Sequence, residues 1–133
     1  MQAVGASVSE LIPQSPAQRG ERLYNVFCVN CHGGPEIRPS EGRIVYPPPH
    51  NASGHTWQHP DCEILTIVDN GGDDTTRAIR AAQAPPGSVE MPAFKERLSH
   101  DDILAILAYI KTMWTPEERT AQEATTHAAC PGS

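Results

Sequence analysis

Five residues, Cys28-Val29-Asn30-Cys31-His32, constrain this chain more than any other stretch. C-x-x-C-H is the attachment pattern of a c-type haem, in which each thiol adds to one vinyl group and the histidine gives an axial nitrogen to the iron. On a helical turn Cys28 and Cys31 lie three residues apart and Cys28 and His32 four apart, so all three share one face. One helix end can then hold both edges of the macrocycle while His32 reaches the iron. A chain committed in this way folds around a large apolar body that is not part of the polypeptide.

Two other chemistries use the same residue types. A thioredoxin-like dithiol sits at a helix N-terminus, where the dipole lowers a thiol pKa. Here Ser15-Pro16-Ala17-Gln18 reads as a helix start upstream, so the motif closes a helix, and no βαβ pattern surrounds it. A zinc site would draw on Cys28, Cys31, His32 or Cys62. Such sites favour two spaced ligand pairs, and Cys62 has no near cysteine partner. Haem attachment is the reading that fits the context best.

The 133 residues suit one domain. With 38% hydrophobic and 5% aromatic residues the core is lean, a gap that a covalently held haem would fill. Thirteen prolines and ten glycines imply long loops between few elements. The net charge of −6 and only two lysines, Lys95 and Lys111, argue against nucleic-acid binding. No apolar run approaches membrane-spanning length. Met1 to Glu10 has neither the basic nor the apolar region of a signal peptide.

Along the chain, residues 1–14 are small and polar and expected to be flexible or extended. Ser15 as N-cap, Pro16 at the first position and Gln18 at the capping-box position predict a helix running to about Asn30. Gly20, Tyr24 and Cys28, spaced by four, stack on one of its faces. Gly20 there would let another helix approach closely; the alternative is that it is merely a weak helix residue. A second helix is predicted over 60–70, opened by Pro60 and ended by Gly71-Gly72, and a short third over 75–83 with Asp74 as cap. The strongest helix starts after Ser99, carries Ile103, Leu104, Ile106, Leu107 and Ile110 as an apolar stripe, and ends near Trp114. Thr115-Pro116-Glu117-Glu118 then opens a polar helix to about Ala128.

Residues 33–60 form a long proline- and glycine-rich loop, which in a compact domain needs a reason, and wrapping a haem edge supplies one. A ligating histidine usually donates its other ring N–H to a carbonyl or carboxylate. The Pro48 carbonyl is our choice of acceptor for His32. The ring N–H groups of Trp57 and His55 could meet the haem propionates, although Trp57 could equally pack over the haem edge. For the other face of the iron, Met91 stands in a loop just before a stiffening proline, and a soft thioether suits reversible one-electron transfer. His55 and His59 are its rivals as sixth ligand. His50 lies by the Pro48 turn on the wrong face, His100 and His127 read as solvent-facing, and Met113 reads as ordinary packing.

These residues together resemble the class I, mitochondrial-like cytochromes c of bacterial type. Gly20, Tyr24, Cys28, Cys31 and His32 match the family's first helix and haem motif, Pro48 its proximal carbonyl, and Met91 in Met-Pro-Ala-Phe its sixth-ligand loop. Ile106 and Tyr109 match the face of the last helix that packs across the first. The likeness covers roughly residues 18–114; it departs where His50 replaces a usual leucine and where 73–88 looks inserted. It implies an all-α cytochrome c fold, short helices and long loops around one covalent haem c. The domains expected are a flexible 1–14, a cytochrome c domain at 15–114, and a C-terminal helix and tail at 115–133. Such proteins mature outside the cytoplasm, so a periplasmic or otherwise exported location is expected, with a removed or replaced export signal and a lost anchor left open.

Cys62 and Cys130 stand outside the motif. In an oxidising compartment they could pair and staple the tail to the 60–70 helix; two unpaired thiols are the alternative. The expected function is one-electron carriage between redox protein partners, a reductase or dehydrogenase on one side and a terminal oxidase or other acceptor on the other. The alternatives are a haem-based gas sensor with a labile sixth ligand and a haem subunit of a larger oxidoreductase. No nucleophile–base pair or phosphate loop points to an enzyme. Lys95 and Arg97 are read as ordinary solvated charge, so docking by apolar contact or to a basic partner is expected.

Overall fold

A computed structural model of the chain describes residues 15–36, 49–71, 74–83 and 91–132. Among them are six α-helices, one short 3₁₀ turn and no strand. In chain order they are α1 (Pro16–Phe27), α2 (Val29–His32), the 3₁₀ turn Thr56–Gln58, α3 (Asp61–Asn70), α4 (Asp74–Gln83), α5 (His100–Thr112) and α6 (Pro116–Ala129). The segment 1–14, the Pro48 turn and residues 84–90 of the inserted stretch lie outside the described residues.

The helix starts follow local chemistry. Ser15 with Gln18, Ser99 with Asp102 and Thr115 with Glu118 each form a reciprocal capping box. In α3, Gly71 takes the left-handed conformation at φ 75° that ends the helix. One boundary differs in kind from expectation. The first helix does not run on to Asn30 but breaks at Cys28, whose φ of −122° departs from helical values. The motif therefore forms its own single turn, α2, and Gly33 at φ 76° closes it. Two further differences are small: Asp74 begins α4 rather than capping it from outside, and α5 ends two residues before Trp114.

The core is built where α1 crosses α5. Tyr24, Ile103, Ile106, Tyr109 and Ile110 bury there, with Phe94, Leu98 and Trp114 from the flanking segments. The crossing is close because Gly20 has no side chain: a Cβ on it would stand 1.8 Å from the Ala105 carbonyl oxygen. Arg19 bonds to Asp102 across the same junction. Both side chains are partly exposed, so this pair sets register more than it adds stability.

The last helix is polar in composition yet tied down. The Gln122 amide is buried and donates to the His59 carbonyl (3.1 Å) and to Asp61 Oδ1 (2.6 Å). Arg119 donates to the Trp114 carbonyl at 2.6 Å, and the Asp61 N–H donates to Thr126 Oγ1 at 3.0 Å. Cys62 and Cys130 are joined in a disulfide with Cα atoms 5.7 Å apart, which fastens the end of α6 to the start of α3. No helix among the described residues is long and apolar enough to cross a membrane.

Candidate functional site

The motif turn hangs from the end of α1. The Cys28 carbonyl accepts from the N–H groups of Cys31 (3.2 Å) and His32 (3.0 Å), which brings the three motif residues onto one turn. Below it, the Tyr24 hydroxyl donates to the Gly33 carbonyl at 2.6 Å. Tyr24 is fully buried, and its ring lies 5.3 Å from that of Tyr109 in α5. The aromatic four residues before the motif thus anchors the residue just after it. The same ring sits in the Gly20–Ala105 crossing, so helix packing and motif placement share one side chain.

Cys28 and Cys31 are both unpaired; the first is half-buried and the second exposed. Burial, and then the neighbouring Cys31, push the Cys28 thiol up to about 11. A dithiol oxidoreductase needs the opposite shift, toward a ready thiolate. His32 is buried. Among the described residues, no group of three or more His, Cys, Asp or Glu side chains converges as a metal cage.

The loop beyond the motif is tied to it from several sides. Asn51, buried, donates to the Pro35 carbonyl at 2.9 Å. Gly54 packs so tightly on Pro49 that a Cβ would fall 2.1 Å from its carbonyl oxygen. The His50 ring lies 4.0 Å from that of His32, centroid to centroid, at 31° between planes. Its Nδ1 is hydrogen-bonded with Thr56 Oγ1 at 2.6 Å, and its backbone carbonyl accepts from the Trp114 indole at 2.9 Å. Burial first, then His32 and His55, hold the His50 imidazole well below the usual histidine range. Sequence reasoning placed His50 on the His32 side but assigned it no contact. It passed over Asn51, Thr56 and the indole of Trp114; for Trp114 the available signal was an N–H that needs a partner when buried.

Trp57 is half-buried against the core, and its indole N–H donates to the Gly54 carbonyl at 3.1 Å. His55 is exposed, with its ring edge-on to His59 at 5.5 Å. Partial burial, then His59, lower its pKa. His59 pairs with Glu63 one helical turn on, at 3.1 Å. His100 and His127 face solvent, and Met113 packs against the core.

The strap that carries Met91 is fastened to the end of α3. The N–H groups of Phe94 and Lys95 donate to the carbonyls of Val68 (3.0 Å) and Asp69 (3.2 Å). A Cβ on Gly71 would stand 2.6 Å from the Met91 carbonyl oxygen, so the positive φ and the missing side chain of Gly71 both let this strap lie close. Met91 packs, partly buried, against the same core as Phe27, Cys28, Trp57, Leu65 and Val68. That set fits a covalently held haem: two free thiols and an imidazole on one turn, a thioether on a fastened loop, and apolar side chains left only partly covered.

Residues 15–110 match the family model described as cytochrome C oxidase, cbb3-type, subunit III. No curated protein and no solved structure matches the chain.

Proposed function

The chain belongs to the cytochrome C oxidase, cbb3-type, subunit III family, and from that premise we propose that it is a monohaem c-type cytochrome of class I kind. Its fold is the all-α cytochrome c fold, and the family is one of electron-transferring haem proteins. In our reading it carries one electron at a time between redox protein partners and performs no turnover of its own. The observation that carries this reading is the single turn Cys28–His32, with both thiols unpaired and its far end held by Tyr24.

Cys28 and Cys31 would hold the haem covalently, with His32 and Met91 as its axial ligands. The haem supplies a one-electron iron couple when bound. The protein's part is to keep the surroundings the same in both oxidation states. The break at Cys28 and the positive φ of Gly33 confine the motif to one turn, and the hydrogen bonds from 94–95 to α3 confine the Met91 strap. Fixed ligands and apolar walls keep reorganisation small. The Pro48 carbonyl would accept from the His32 ring N–H. Exposed His55 would donate to a haem propionate. Trp57, its N–H held by Gly54, would lie over the haem edge. The cytochrome c domain spans 15–114, with the helix and tail at 115–133 clasped to it, and an exported location follows from haem attachment and from the disulfide.

A second reading, that the chain serves as the haem subunit of an oxidase, is favoured by the family description itself. Size-exclusion of the native protein from its source membrane distinguishes a free carrier from a bound subunit. The axial assignment is tested by Met91→Ala with absorption spectroscopy and potentiometry. Loss of the weak thioether-to-ferric-iron band together with a lowered potential is expected. An unchanged spectrum would overturn the Met91 assignment and turn attention to His55 or His59.

A further inference from the structure

The described residues hold one arrangement that electron carriage alone does not account for: a second imidazole laid against that of His32. We infer that His50 is a positioning residue, whose ring fixes the plane of the His32 imidazole about its bond to a haem iron. The inference rests on the reading of His32 as an axial ligand.

Rotation of an imidazole about its metal bond is a soft motion, and proteins normally restrain it through the ring's surroundings. Here one restraint is a near-parallel ring 4.0 Å away at 31°. A wall restrains only if it is itself immobile, and His50 is held from three directions. Thr56 of the 3₁₀ turn bonds its Nδ1 at 2.6 Å. Trp114, just beyond α5, holds its carbonyl at 2.9 Å. Tyr24 of α1 stands edge-on to its ring at 6.3 Å. All three holders are buried, so water does not compete for these contacts. An aliphatic side chain could fill the same volume, but nothing would set its orientation.

The plane of an axial imidazole directs unpaired spin in a low-spin ferric haem toward one pair of pyrrole rings. It is therefore read directly by the order of the haem methyl resonances in the proton NMR spectrum and by the anisotropy of the electron paramagnetic resonance signal. The holoprotein is compared with its His50→Leu and Thr56→Val variants. Thr56→Val is nearly isosteric and removes one hydroxyl, so it remains decisive if His50→Leu fails to fold. Both variants are expected to stay low-spin, with a changed order of methyl shifts, the larger change in His50→Leu. An unchanged order in Thr56→Val overturns the inference. Loss of the low-spin spectrum in His50→Leu overturns it too, because His50 would then be a ligand. Failure of the underlying reading looks different: His32→Ala would keep its low-spin spectrum.

Discussion

Gly20→Ala tests the packing at its tightest point, because the two roles open to this glycine predict opposite signs. As a weak helix residue inside α1, its replacement by alanine would stabilise the protein by about 1 kcal/mol. As a packing residue it should do the reverse. The new Cβ would stand 1.8 Å from the Ala105 carbonyl oxygen and 2.9 Å from the Ile106 nitrogen. Both belong to the α5 backbone, which has no flexible side chain to swing aside. Ordinary van der Waals contact needs about 3.4 Å, so the two helices must part by roughly 1.6 Å at the crossing. A gap of 0.5–1 Å already forfeits about a quarter to a half of each contact across it. Tyr24, Ile106 and Tyr109 all make such contacts at this junction. Overpacking costs typically reach about 1–3 kcal/mol, and a backbone obstacle belongs at the upper end. We therefore expect a net loss of about 2 kcal/mol after the helix-propensity gain, or roughly 8 °C in Tm. Urea unfolding of the holoprotein, followed by far-ultraviolet circular dichroism and by the haem band, measures it. A variant as stable as the parent, or more stable, would refute the close-crossing argument.

Other outcomes follow from the same contacts. Tyr24→Phe removes the hydroxyl that holds the Gly33 carbonyl and should cost about 1–2 kcal/mol in the same urea assay. The Cys62–Cys130 link closes a separation of 68 residues, so the double serine variant should lose about 4 kcal/mol on the chain-entropy argument, and intact mass without reductant should show two hydrogens fewer than the reduced chain. If Met91 closes the sixth position, carbon monoxide added to the ferrous protein should leave the visible spectrum unchanged, whereas rapid conversion would favour the gas-sensor alternative. Asp102 contributes to acid stability. Its carboxyl is lowered by the Ser99 backbone N–H first, then by the Ser99 hydroxyl and Arg19, outweighing the opposing effect of desolvation. A carboxyl depressed by folding stabilises above its unfolded pKa of about 4 and loses that contribution as pH falls through the folded value. Asp102→Asn should accordingly flatten the acid limb of a stability–pH curve slightly, since this ion pair is partly solvated.

Much of the molecule is legible from local rules. The motif turn, the caps at Ser15, Ser99 and Thr115, the stop at Gly71 and the apolar stripe of α5 each depend on residues within about one helical turn. The interruption at Cys28 was not legible, because C-x-x-C-H is compatible with either a continuous helix or a separate turn. Gly33 at φ 76° and its bond from Tyr24 select the turn.

The sequence by itself pointed to a haem: two cysteines and a histidine in the C-x-x-C-H pattern, in a composition lean in aromatic residues. Only the tertiary structure decided what stands next to that face. His50 reaches Trp114 across 64 positions, Arg19 reaches Asp102 across 83, and Cys62 reaches Cys130 across 68. Helix periodicity and capping act over three or four residues. Contacts at these separations depend instead on how the 49–60 loop and the end of α6 settle on the α1–α5 crossing, a balance of burial and chain entropy over the whole fold.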